Sequence, residues 1–140
     1  MDKRRIDRYL KNAALALEDT GIAVKGKINS SYRGQISSFG ASVAQGSILA
    51  AVAVYCGKTG AGVETERLMA AIYLLKHYES ANIEELKKKS VKANASSLFE
   101  YVKHEYTSCS YKVKEEILEY AMALKMAMNL FVLEKAGEKR

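Results

Sequence analysis

Residues 111–136 read YKVKEEILEYAMALKMAMNLFVLEKA, and this stretch decides the fold class. Val113, Ile117, Tyr120, Leu124, Met128 and Phe131 recur at spacings of three and four. At about 100° per residue, such spacing keeps one apolar face over several turns of α-helix. Met122, Met126 and Leu130 add apolar surface beyond that stripe. A helix with this surplus packs on two sides, or packs on one side and offers the other to a partner.

Working back from it, the other segments repeat the helical period. In 2–19, Ile6, Leu10, Ala13, Ala14 and Leu17 form the apolar side, with Arg4, Arg8 and Lys11 opposite. Gly21 suits a helix stop, because glycine adopts the left-handed backbone that closes helices. Residues 22–40 mix Gly26, Gly34 and Gly40 with serines and read as a loop with a short helix. Segment 41–56 reads as a helix of small residues that lets a neighbour approach closely, which makes it the expected central core element. A loop follows from Gly57 to Gly62. Segment 63–79 is helical, with Leu68, Ile72 and Leu75 on one stripe. Asn82 and Glu85 form a capping box for a lysine-bearing helix carrying Lys87, Lys88, Lys89 and Lys92, with a break near Ala93–Asn94. Leu98, Phe99, Val102 and Tyr106 mark another buried face, and Thr107 to Ser110 read as a polar turn. No strand-like alternation of any length is present.

Composition agrees with this reading. The 140 residues contain no proline, 49% are apolar and 27% are charged. A chain of this size buries a core without disulfides or metals. The expected architecture is all-α: a single compact helical bundle of five to seven helices over 1–140. Cys56 and Cys109 are isolated and read as buried, reduced thiols, as in a cytoplasmic protein. Met1 to Arg8 carry charge and no apolar run, the pattern of a chain without a signal peptide. The apolar run 41–56 is shorter than the roughly 20 residues that span a bilayer.

The motifs argue against chemistry. Gly57-Lys58-Thr59 resembles the end of a phosphate-binding loop, but Val52 stands where the motif needs its first glycine, and a helix-like run precedes it where a strand is required. His77 and His104, the only histidines, have no carboxylate or cysteine cluster at metal-ligand spacing. Both read as structural residues; the alternative for His77, near a helix end, is to favour the helix dipole or contact a phosphate. Ser and Cys lack the glycine context of a nucleophile elbow. Asn29-Ser30-Ser31 and Asn94-Ala95-Ser96 match the glycosylation sequon without other signs of secretion. The expectation is therefore no catalytic residue, no metal, no cofactor and no small-molecule substrate.

The cations are more informative. The net charge is +6. Arg4, Arg8 and Lys11 form one stripe, with Arg5 beside it, and Lys25, Lys27 and Arg33 follow without an acidic neighbour. Tyr9 and Tyr32 lie close to these charges in sequence. Cations so placed suit phosphate contacts, which position nucleic acid without reading its sequence. Lys87 to Lys92 count for less, because Glu84 and Glu85 stand within pairing distance.

Several of these features occur together in one family. A basic first helix is followed by Lys25-Gly26-Lys27 and Tyr32. A Gln45-Gly46 step lies within the small-residue apolar run Val43 to Tyr55. The chain closes on Tyr111, Glu116-Ile117-Leu118 and Leu133-Glu134-Lys135-Ala136. Over nearly its whole length the chain resembles the small α-helical subunit of the type III-B (Cmr) CRISPR effector complex. It lacks the proline usual before the family's central helix and a tryptophan in the last helix. The resemblance implies a non-catalytic, cytoplasmic subunit in antiviral defence. Its partners would be guide and target RNA, other subunits of the complex and copies of itself. Arg4, Arg8, Lys11, Lys25, Lys27 and Arg33 would then be the RNA-facing cations. The alternative is a helical protein-interaction or dimerisation module with no nucleic-acid role.

Overall fold

The computed structural model describes residues 3–57, 64–80 and 95–134, and among these the fold is all-α. Five α-helices run in the order α1 (Lys3–Asp19), α2 (Ser31–Gln45), α3 (Ile48–Cys56), α4 (Thr65–Ser80) and α5 (Ala95–Ala127). Three short strands, β1 (Ala23–Val24), β2 (Lys27–Asn29) and β3 (Val132–Glu134), form one small sheet in the order β1-β2-β3. The lysine-bearing segment at 82–92, its capping box and the break near Ala93–Asn94 lie outside the described residues.

Helix α1 follows its sequence period. Ile6, Ala13, Ala16 and Leu17 are buried, and Leu10 and Ala14 pack against them. The helix closes as Thr20 N–H and Oγ1–H both donate to the Ala16 carbonyl, at 3.1 and 2.8 Å. Gly21 sits at φ +77°, the left-handed geometry expected of a stop. Its carbonyl accepts from Arg67 Nη1 at 2.9 Å, which ties the end of α1 to α4.

Residues 22–30, expected as loop, instead build a hairpin. Val24 pairs with Lys27 and Ala23 with Ile28. The two residues between the strands, Lys25 (φ +52°) and Gly26 (φ +77°), both take positive φ. This is the two-residue turn whose twist matches paired strands. Strands of two and three residues are too short to show alternation in sequence. Strand β3 then lies parallel to β2, pairing Lys27 with Val132, Ile28 with Leu133 and Asn29 with Glu134. Val132 N–H donates to the Gly26 carbonyl at 2.9 Å.

The expected helix 41–56 is two helices. Helix α2 buries Tyr32, Ile36, Phe39 and Val43, and α3 buries Ile48, Ala51, Val52 and Tyr55. They part at Gly46, whose N–H still donates to the Ser42 carbonyl at 3.0 Å. Ser47 then caps α3, its Oγ accepting from Ala50 N–H at 3.3 Å. Phe39 meets Tyr55 edge-on at 5.2 Å and locks the two helices together. In α4, Leu68, Ile72 and Leu75 are fully buried, as their stripe required. Thr65, also buried, donates from Oγ1 to the Gly57 carbonyl at 3.1 Å.

The central core element is α5, not 41–56. It packs against α1, α2, α3 and α4, and buries Leu98, Val102, Val113, Ile117, Tyr120 and Leu124. Small side chains allow close approach, but a long helix of some 50 Å (33 residues) can touch every neighbour. The expected polar turn at 107–110 is helical within it. With no glycine or proline there, helix propagating from both sides costs little. The Tyr106 side chain lies outside the described residues. Helix α5 ends at Ala127. Met128–Leu130 form one 3₁₀ turn, and 132–134 extend into β3, so the expected helix to 136 stops nine residues short.

Candidate nucleic-acid interface

The sequence-nominated cations fall into two groups. Arg4, Arg8 and Lys11 are exposed on one side of α1, with exposed Asp7 at the edge of the stripe. Lys25, at the tip of the hairpin, and Arg33, in the first turn of α2, are exposed as well. Lys27 is in part engaged: its Nζ lies 3.5 Å from Glu134 Oε1 across the β2–β3 pair. The hairpin follows the far end of α1, and Asp19 lies eleven helical steps beyond Arg8, roughly 17 Å. The six positions thus form two groups along the chain, three within the first nine residues of α1 and three beyond its end.

Arg5, placed beside the stripe in sequence, is turned inward. Its Nε and Nη2 donate to Glu119 Oε1 and Oε2 at 2.7 and 2.9 Å. The pair opens a row of contacts where α1 meets α4 and α5. The Tyr9 ring lies 5.2 Å from Tyr120, tilted by 51°. Asn12 Nδ2 donates to Glu79 Oε2 at 2.5 Å. On the α4–α5 side, Tyr101 O–H donates to Glu116 Oε1 at 2.6 Å, and Lys76 Nζ lies 4.4 Å from the Tyr101 ring centre. Between these helices is a cleft of about 300 Å³, lined by Arg8, Tyr9, Lys76, Glu79, Glu116 and Tyr120.

Burial holds the phenols in and beside this cleft protonated. It raises Tyr120 and Tyr101 well above the usual tyrosine value of 10.0, with Glu116 adding to both. Tyr9 is raised chiefly by burial and then by Glu119. Sequence reasoning named none of Lys76, Glu79, Glu116 and Tyr120 as site residues. A signal was present in Glu119, a carboxylate at the margin of the apolar stripe of Ile117 and Tyr120, on the side to which Met122 and Met126 add apolar surface.

His77 has a packing role, not a phosphate- or dipole-facing one. It packs edge-on against Tyr73, with ring centres 4.4 Å apart. Burial, then the charge of Lys76, holds its imidazole below the usual 6.5. A neutral ring neither complements a helix dipole nor neutralises a phosphate. His104 is exposed. Cys56 is half-buried, and burial followed by Glu66 raises its thiol, which keeps it from reacting as thiolate. The Cys109 side chain, Lys58, Thr59 and Asn94 lie outside the described residues. Asn29 Oδ1 accepts from Ser31 N–H at 2.9 Å in a local turn.

Among the described residues, no group of three or more His, Cys, Asp or Glu is arranged to hold a metal ion. No helix of these residues is long and apolar enough to cross a membrane. The apolar surplus near the end of the chain is only partly exposed. Met122 packs on the core, whereas Met126 and Leu130 are exposed; Tyr111 and Val132 are exposed as well. Compared with known proteins, the chain matches no family model, no curated protein and no solved structure.

Proposed function

We propose that the chain is a non-catalytic RNA-binding subunit, the small helical subunit of a type III-B CRISPR effector complex, acting in the cytoplasm in antiviral defence. Guide and target RNA and the neighbouring subunits, copies of itself included, are its partners. The observation that carries the RNA reading is the exposed row Arg4, Arg8 and Lys11 along α1, seconded by Lys25 and Arg33 beyond its end. Their work is phosphate neutralisation, because guanidinium and ammonium groups on one helix face track a backbone without addressing bases. The assignment to this complex rests on the sequence resemblance.

A salt titration tests it. RNA retention by the protein, alone and with its complex partners, falls steeply with salt, and each phosphate contact removed lowers the slope by roughly one unit. Replacing Arg4, Arg8 and Lys11 by alanine flattens the slope by about two to three units. Replacing Lys25, Lys27 and Arg33 flattens it too, with Lys27 contributing less because Glu134 already engages it. A slope unchanged in both variants removes this surface from the reading.

The exposed Tyr111, Met126, Leu130 and Val132 favour a second reading, an interaction or dimerisation module with no nucleic-acid role. Absence of RNA retention in every assembly selects it.

A further inference from the structure

We infer that the cleft between α1, α4 and α5 takes one unpaired nucleotide of the bound strand, with an amino-bearing base against Glu79 or Glu116 and its phosphate on Arg8. This rests on the RNA-binding reading above and adds base selectivity to a surface otherwise blind to sequence.

Size sets the first constraint. A cleft of about 300 Å³ is at the small end of ligand sites and admits one small planar group, not a duplex. Charge sets the second. Arg8 and Lys76 oppose Glu79 and Glu116, so the lining sums to zero and does not suit a simple anion. A matching ligand carries a negative group for the cations and N–H donors for the carboxylates. A nucleotide with an exocyclic amino group has both.

The residues already present supply the remaining contacts. Glu79 accepts from Asn12, and Glu116 from Tyr101. Each carboxylate offers about four acceptor sites, so one hydrogen bond leaves room for a ligand. Half-buried Tyr9, packed at a tilt on the buried Tyr120, gives the cleft an aromatic surface for a base, whatever its identity. Arg8 belongs both to the exposed row of α1 and to the lining of the cleft. A backbone following that row therefore passes the mouth of the cleft, where an unpaired base can turn in.

The carboxylates predict the order of preference. Guanine presents two adjacent N–H donors to one carboxylate, while cytosine and adenine present an amino group. Uracil has no amino group, and its single ring N–H is flanked by carbonyl oxygens that repel a carboxylate.

The test measures binding of an eight-nucleotide oligouridine and of the same strand with one internal guanosine, using the full chain at fixed salt. The guanosine strand binds roughly tenfold tighter. In E79Q/E116Q this ratio falls towards one, while oligouridine binding holds or tightens as negative charge is removed. Arg8→Ala weakens both strands alike. Unchanged unfolding midpoints confirm that the variants fold. Equal binding of the two strands by the wild type overturns this inference and leaves salt-dependent backbone binding standing. A ratio that persists in E79Q/E116Q also overturns it. Loss of all RNA binding in every assembly overturns the RNA-binding reading itself, and the inference with it.

Discussion

Arg5 of α1 grips Glu119 of α5 through two parallel hydrogen bonds, and the carboxylate is only 3% exposed while the arginine side chain is 43% exposed. The two residues are 114 positions apart, so this bond joins the first helix to the last. Removing the arginine leaves a carboxylate buried without its charge partner. Arg5→Ala is expected to cost about 2 kcal/mol, below the roughly 3–5 kcal/mol of fully buried pairs because Arg5 reaches solvent. Urea unfolding measures the loss. Arg5→Ala combined with Glu119→Leu should recover much of it, since the unpaired buried charge is then gone.

The hairpin turn offers a stabilising change. Lys25 adopts φ +52°, a conformation unfavourable for a long side chain and tolerated by asparagine. Lys25→Asn is expected to raise stability by about 0.5 kcal/mol, read as a higher thermal midpoint. The same change removes one exposed cation, so under the proposed RNA-binding function RNA affinity falls while stability rises. A parallel fall in both would show that the turn geometry is not as described.

Phe39 tests how α2 and α3 are held across their break. Its ring is fully buried and edge-on to Tyr55. Phe39→Ala is expected to cost about 3–5 kcal/mol, the range for emptying an aromatic site in a core. Phe39→Leu should cost less than half as much. Chemical denaturation of the two variants gives the ratio.

The pH dependence has a definite sign on each side. Burial raises the folded-state values of Tyr120 and Tyr101, so between the ordinary 10.0 and the raised values the folded chain holds protons that the unfolded chain has released. Stability is therefore intact below pH 10 and falls as pH rises above it, by up to about 1.4 kcal/mol per pH unit for each such tyrosine. Tyr120→Phe flattens that fall. His77 works on the acid side, because its folded-state value lies below 6.5. Its contribution is present above that value and is lost as pH falls below it, where the unfolded chain takes up a proton first. Thermal midpoints from about pH 5 to 11 follow both limbs.

The helices α1, α4 and the second half of α5 were legible in sequence because each buries a stripe at the helical period: Ile6 to Leu17, Leu68 to Leu75, Val113 to Met128. Local chemistry determined these, together with the glycine stop at Gly21 and the exposure of Arg4, Arg8 and Lys11. Other features needed the tertiary structure. Strand β3 exists because residues 132–134 return beside β2, a pairing across more than 100 residues that no local pattern encodes. The Gly46–Ser47 break carried a local signal, but whether one helix or two formed depended on Phe39 and Tyr55 meeting across it. The roles of the charged residues were decided last. Arg5 and Arg8 look alike in sequence, yet one faces Glu119 and the other lines a cleft and meets solvent. A helix period says which side of α1 is apolar. Only the positions of α4 and α5 decide which charges at its margins find a partner.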